Sequence, residues 1–351
     1  MNQNFFTNFA WLIKLEPDMK EIKQILTDRN LDESQFYFAY SLVYEWEDEL
    51  AKDLKVPMLN NWKWSRNCML KRIPNLSDLM THRKLTLQFR LNASEGKLYR
   101  WANTKNIIPA IIDYYLTDDL IPTFEDNFKN SPVVLITSKE VYDYLKKKNI
   151  KLRMAHWALS ISDIYKITPS TQFEKKYNLV LMGRQNPILL SFLKKYAELH
   201  PDLTYVYRKT VRDEKGFPTF YYLTSDGKNL GTVNTRKEYI KLMRLSRVGL
   251  WAPSGIDTDG SNSHGFNQVT PRFLEYLTAG CHVIARYPKN SDIEYYELDK
   301  YWPSINTYQQ FEEEMDFFRT HEPDLPFYCQ YLEKHYTSTR AKQLNDILAK
   351  L

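Results

Sequence analysis

His264, Gly265, Phe266, Asn267, Gln268, Val269, Thr270, Pro271, Arg272, Phe273, Leu274 and Glu275 join a polar loop to a helix start that carries two opposite charges. Thr270 is a good N-cap, and Pro271 suits the first helical position, where no amide donor is needed. Gly280 fits the left-handed residue that closes a helix, and residues 281–285 then read as a buried strand. The amides of Val269, Thr270 and Arg272 gather at the positive end of that helix, beside an arginine side chain. Together they make an anion site suited to phosphate. A cation at the second helical position opposes the helix dipole unless an anion sits there, so Arg272 itself argues for one. One turn on, Glu275 can accept hydrogen bonds from a vicinal diol such as ribose. Its bland alternative is a surface glutamate paired with a lysine. A diphosphate held beside its ribose is the grip that a nucleotide-sugar requires.

These residues need a sheet to carry them. The second half of the chain alternates strands and helices: a strand over 178–183, a helix over 187–199, a strand over 203–207 and a hairpin over 217–232 turning at Ser225-Asp226-Gly227. Thr235 with Glu238 predicts a capping box for a helix through Leu245, and a strand over 248–251 follows. Ser291 with Glu294 predicts a further cap. This order implies a parallel sheet covered on both faces, with ligands at the carboxyl ends of its strands. Gly183-Arg184, Pro253-Ser254-Gly255 and the 264–270 loop all fall there, which makes Arg184 a second candidate for phosphate contact. The first half is less regular. Helices are expected over 17–26, 35–54 and 138–147, the last capped by Thr137 with Glu140, and strands over 85–91, 107–112, 133–136 and 151–155.

The loop resembles the donor-binding loop of GT-B glycosyltransferases, in particular the large retaining group whose loop reads Glu-Gly-Phe-Gly-x-Pro-x-x-Leu-Glu-Ala-x-Ala-x-Gly. Gly265-Phe266, Pro271, Leu274-Glu275 and Ala279-Gly280 carry the match. Asn178 to Arg184 resembles the strand and Gly-Arg turn that opens the group's second domain. The resemblance spans residues 177–290 and departs from the group twice. The first glutamate of the Glu-x7-Glu pair falls on Asn267, and the lysine expected after Arg184 is missing. It implies an α/β chain of two Rossmann-like domains facing each other across a cleft, the GT-B architecture. The acceptor-side domain would cover 1–160, a linker 161–176, the donor-binding domain 177–335, and a C-terminal helix over 336–351 would cross back to the first domain. Gly183, Arg184 and the 265–272 loop would hold the donor, Asn267 and Gln268 would meet sugar hydroxyls, and Glu275 would take the ribose.

His156 and His264 are candidates for proton chemistry, because imidazole titrates near neutral pH. Asp113, at a strand end, is a candidate base or hydroxyl-orienting carboxylate. A purely structural histidine is the alternative reading. Between Trp62 and Lys105 stand ten Lys or Arg against two acidic residues, with Trp62, Trp64, Tyr99 and Trp101 interleaved. Lys63, Arg66, Lys71 and Arg72 then belong either to a solvated basic face or to an acceptor face for anionic lipid headgroups or a lipid-linked glycan. No nucleic-acid recognition motif accompanies the charge.

Composition sets the outer bounds. At 351 residues the chain is long enough for two ordinary domains, and 43% hydrophobic with 26% charged residues is globular. With 10 glycines it carries no glycine-rich nucleotide loop of the GxGxxG or Walker type. Cys68, Cys281 and Cys329 form neither a disulfide framework nor a zinc pattern, which suits a reducing cytoplasm. The apolar patch over 5–15 is too short to span a bilayer. The expectation is a cytoplasmic enzyme, touching at most the inner face of the membrane. It would transfer a sugar from a nucleoside-diphosphate-sugar to a hydroxyl of a surface glycan or lipid-linked acceptor. No metal or other cofactor is expected, since loop amides, Arg184 and Arg272 would stabilise the leaving diphosphate. Asp257-Thr258-Asp259 has the spelling of a metal motif, in a loop to which the resemblance assigns no metal. The rivals are a nucleotide-sugar epimerase on the same scaffold and a non-catalytic glycan- or nucleic-acid-binding protein using the basic face.

Overall fold

A computed structural model of the chain describes residues 21–27, 29, 38–60, 84–92, 106–114, 116–214, 216, 218–258 and 265–351. Short apolar runs build a first sheet from β1 (Gln24–Thr27), β2 (Met58–Asn60), β3 (Thr86–Asn92), β4 (Ile107–Asp113), β5 (Val134–Ile136) and β6 (Met154–His156). Their order is β2-β1-β3-β4-β5-β6, and every pairing is parallel. A parallel sheet must be covered on both faces, and β4 shows how alternation achieves this. Ile108, Ala110 and Ile112 pack with Val43, Trp46 and Leu50 of α1 (Phe38–Asp53). Ile111 points the other way, towards Phe124 and Phe128 of α2 (Ile121–Phe128) and Val141 and Leu145 of α3 (Lys139–Lys147).

The structure departs from the expected elements at two places. Residues 24–27 form an inner strand and not the end of a helix, with Ile25 and Leu26 buried between β2 and β3. Ile22, Ile25 and Leu26 have a spacing that also fits a helix face, and a four-residue run buried on both faces has no period to separate the two. The cap of α3 is Ser138, whose hydroxyl accepts from the Val141 amide, and not Thr137, whose Oγ1 donates to the Ile111 carbonyl at 2.7 Å.

The second sheet comprises β7 (Tyr177–Val180), β8 (Tyr205–Arg212), β9 (Pro218–Thr224), β10 (Asn229–Thr232), β11 (Ser246–Trp251) and β12 (His282–Ala285), in the order β10-β9-β8-β7-β11-β12. β8, β7, β11 and β12 are parallel, and β9 with β10 adds an antiparallel hairpin beside β8. The chain leaves β7 to one side for β8 and returns on the other for β11. Open α/β sheets bind ligands in the crevice outside the carboxyl ends of their strands, at such a reversal.

Three helices bear on that crevice: α4 (Pro187–Leu199), α5 (Arg236–Arg244), opened by the expected Thr235–Glu238 capping box, and α6 (Pro271–Thr278). Phe273, Leu274, Tyr276 and Leu277 bury α6 in the core, and Gly280 leaves it at φ +61°. α7 (Ser291–Tyr295) is capped by Asn290 and not by Ser291. After α8 (Leu298–Tyr301), α9 (Tyr308–Thr320) and α10 (Leu325–Leu332), α11 (Thr337–Ala349) packs on the first sheet, with Leu344 and Leu348 in the same cluster as Val43 and Trp46. This is the α/β architecture of two Rossmann-like domains. Among the described residues no helix is long and apolar enough to cross a membrane.

Candidate functional site

The site grows from the end of β7. Gly183 turns at φ +67°, and the Arg272 guanidinium lies against it, with Nη2 2.3 Å from where a Cβ would stand. Arg272 Nη1 donates to the Arg184 carbonyl at 3.1 Å, so α6 and the β7 turn share one guanidinium. Burial opposes the charge of Arg272, yet Tyr239, Tyr276 and Glu275 around it hold its pKa above the ordinary value. Its Nε is buried and meets no hydrogen-bond acceptor among the described residues. The Arg184 side chain is exposed beside it.

Thr270 occupies the N-cap position of α6, but its hydroxyl caps no amide. Trp251 ends β11, and its buried indole N–H takes the Thr270 Oγ1 as acceptor at 3.1 Å. Pro271 brings no N–H and the Phe273 amide already donates to the Thr270 carbonyl at 3.1 Å, so the Arg272 amide is the first-turn donor that can meet an anion. Glu275 is also placed differently from the expected helix surface. It is 3% exposed, because α5 covers that side of α6, and its Oε1 accepts from Arg236 Nη2.

The loop before α6 runs against the first domain. Phe266 meets Tyr144 edge-on at 5.2 Å, the Asn267 amide donates to Glu140 Oε2 at 2.7 Å, and Gln268 Nε2 donates to Thr137 Oγ1 at 3.1 Å. Val269 is buried, and Gly265 turns the chain into the loop at φ +88°. Thr137 follows β5, so the carboxyl edges of the two sheets face each other at this point. In return, Asp292 of α7 accepts from Ser138 Oγ at 2.6 Å and from the Lys139 amide at 2.7 Å at the start of α3. Each domain gives a carboxylate to a backbone amide of the other.

Burial pushes the Asp292 carboxyl up to about 7, against the bonds from Ser138 and Lys139 that favour its ionised form. A folded-state pKa above the unfolded value gives stability that is present at low pH and is lost as pH rises from 3.8 to about 7. Wild type is therefore expected to lose stability relative to Asp292→Asn between about pH 5 and about pH 8, by up to a few kcal/mol. Urea unfolding of both proteins at the two pH values checks this. A pH-independent difference would show that Asp292 ionises normally.

His156 ends β6, with its ring edge-on to Tyr295 at 4.7 Å. Burial, with Arg340 and Lys139 nearby, lowers its pKa to about 4, so it is neutral at neutral pH. Asp113 ends β4 with its side chain open to solvent, yet desolvation by the surrounding protein raises its carboxyl to about 6. Both stand at the carboxyl edge of the first sheet, separated by β5. His264, Trp62, Lys63, Trp64, Arg66, Lys71 and Arg72 lie outside the described residues. Asp257 is engaged by Arg286 at 2.6 and 2.9 Å and by Asn186 at 2.9 Å; Arg286 first, then Asn186, holds its carboxyl below the usual range. Among the described residues no three His, Cys, Asp or Glu side chains converge as a metal site.

Sequence reasoning missed Arg236 and Glu45. Arg236 Nη2 reaches Glu275, and its Nε lies 3.5 Å from Glu45 Oε2 on α1. The only local signal was the Thr235 cap, which puts residue 236 at the first position of a helix.

No protein-family profile matches the chain, and no curated protein matches it in sequence. Solved structures show distant likenesses. The pneumococcal O-GlcNAc transferase GtfA in complex with UDP and GlcNAc aligns at 13% identity over 76% of this chain and 57% of that one, with a TM-score of 0.49. A GtfA/B complex aligns at 10% identity over 78% and 59%, also at 0.49. Sucrose-phosphate synthase from Thermosynechococcus elongatus aligns at 10% identity over 76% and 65%, at 0.40. The chain thus spans less than two thirds of the length of each.

Proposed function

We propose that the chain is a glycosyltransferase that moves a sugar from a nucleoside-diphosphate-sugar to a hydroxyl of a surface glycan or lipid-linked acceptor. The observation that carries this reading is the Arg272 guanidinium, held over Gly183 at the sheet's reversal beside the exposed Arg184, with no acceptor for its Nε among the described residues. A partly buried cation at a helix start is stabilised by a bound anion. The donor diphosphate sits there, against the Arg272 amide and guanidinium and the exposed Arg184, with Gly265 to Pro271 around the sugar and Glu275 on the ribose. In the transfer the bond from the anomeric carbon to the diphosphate oxygen breaks, and a bond to the acceptor oxygen forms. The acceptor proton passes to a base. Asp113, at the carboxyl edge of the first sheet and ionised above about pH 6, accepts it in this reading. His156, already neutral, orients hydroxyls, and His264 remains a further candidate. Two arginines and the Arg272 amide offset the charge on the leaving diphosphate electrostatically, with no metal required. The basic aromatic segment around Trp62 to Arg72 meets the acceptor or an anionic membrane surface on the cytoplasmic side.

Calorimetric titration of uridine and guanosine diphosphates tests this reading. Arg272→Met is expected to weaken the tighter ligand at least about tenfold, since a charge-assisted bond contributes about 1.5–3 kcal/mol. Wild-type binding and acceptor-dependent release of nucleoside diphosphate should survive EDTA. Unchanged affinity in the variant would sink the diphosphate assignment, and donor conversion without an acceptor would favour an epimerase. Loss of activity with EDTA and its rescue by magnesium would overturn the metal-free part.

A further inference from the structure

We propose that Glu45 and Arg236 are positioning residues that set the Glu275 carboxylate and tie its readiness to the contact between the two domains. The inference rests on the reading that Glu275 takes the donor ribose, and goes beyond it to a relay whose first member lies in the other domain. Arg236 is 8% exposed and stands between two carboxylates on different domains. Its Nη2 donates to Glu275 Oε1 on α6, and its Nε faces Glu45 Oε2 on α1 at 3.5 Å. Glu45 is fixed in turn by the Tyr165 hydroxyl, from the segment that joins the domains. The guanidinium also lies over the Tyr239 ring at 5.2 Å, and Tyr239 is hydrogen-bonded to Arg272.

The chemistry of the cluster explains why both carboxylates are present. One buried and one partly buried carboxylate share a single guanidinium, so neither is left as an uncompensated charge. Arg236 occupies one oxygen of Glu275 and fixes its rotamer. A carboxylate already held in place takes up a diol without first losing its own freedom. Glu45 holds Arg236 from across the boundary, so the geometry of Glu275 depends on α1 staying against α5. By linkage, whatever strengthens the domain contact strengthens donor binding by the same factor, and the reverse. Glu45 itself touches no part of the proposed donor site.

A double-mutant cycle on donor affinity reads this coupling. Glu45→Gln, Glu275→Gln and the double variant are titrated with uridine and guanosine diphosphates, after thermal melts establish that each is folded. Glu45→Gln is expected to weaken the tighter nucleotide at least about fivefold in the wild-type background, the lower range of allosteric couplings. In the Glu275→Gln background it should change nothing, because its route to the ligand has gone. Equal weakening in both backgrounds would mean that Glu45 supports the fold and not the carboxylate. No weakening in either would remove the relay while leaving the ribose assignment intact. If Glu275→Gln alone leaves affinity unchanged, the ribose assignment fails and takes the relay with it. Should Glu45→Gln not fold, Glu45→Asp keeps the charge, shortens its reach and is judged by the same cycle.

Discussion

Gly183→Ala is expected to weaken nucleoside diphosphate binding more than tenfold while costing the fold much less. The backbone at residue 183 is left-handed at φ +67°, where a side chain costs about 1–2 kcal/mol. The larger effect comes from position. The new Cβ would stand 2.3 Å from Arg272 Nη2 and 2.8 Å from its Cζ, so the guanidinium must leave. Those are the far atoms of a flexible side chain, so the core beneath need not move. The proposed anion site, however, loses its Arg272 cation and the link to the Arg184 carbonyl. Affinity should fall more than tenfold, with a melting temperature only a few degrees lower, since about 1.4 kcal/mol corresponds to each factor of ten. Calorimetric titration and thermal melts on the same preparation separate the two effects. Full nucleotide affinity in a folded Gly183→Ala protein would dissociate this turn from the donor.

Arg236→Ala should be the most damaging change to stability. It leaves Glu275 buried at 3% exposure without its guanidinium, and Glu45 without its cation across the boundary. Breaking a buried pair from one side costs about 3–5 kcal/mol. Arg236→Met combined with Glu275→Leu should recover most of that loss, because an apolar replacement of both partners leaves no orphaned charge. Urea unfolding of the single and double variants decides the matter. A single variant within about 0.5 kcal/mol of wild type would place the pair among ordinary surface contacts.

The second sheet was legible because its signals are local. An apolar run, a glycine turn, the Thr235–Glu238 box and the Pro271 helix start each act within a few residues, and together they gave the strand–helix order. The two-domain architecture followed from that order and from the resemblance around 265–280. The first sheet was harder, since strands as short as Gln24–Thr27 are too brief for their period to show. The immediate surroundings of the site were the least legible. Whether Thr270 caps its helix depends on Trp251, nineteen residues away in sequence, needing an acceptor. Whether Glu275 is a surface group depends on α5 lying over it, and the partner that matters beyond Arg236 is Glu45, on another domain. No pattern in the sequence brings residues 45, 236 and 275 together; only the packing does.

The exchange of carboxylates for amides between Asp292 and α3, and between Glu140 and the Asn267 amide, bears on how the cleft can work as a machine. Bonds of this kind have close equivalents in water, so pulling the two surfaces apart trades each for hydration and costs little on balance. Asp292 even gains from being wetted once it is ionised, so separation becomes easier towards alkaline pH. The Phe266–Tyr144 ring contact supplies a modest apolar grip that a weld would exceed many times over. This edge of the boundary therefore acts as a detent, holding one resting position by bonds that water can replace, while the Glu45–Arg236 contact keeps α1 on α5.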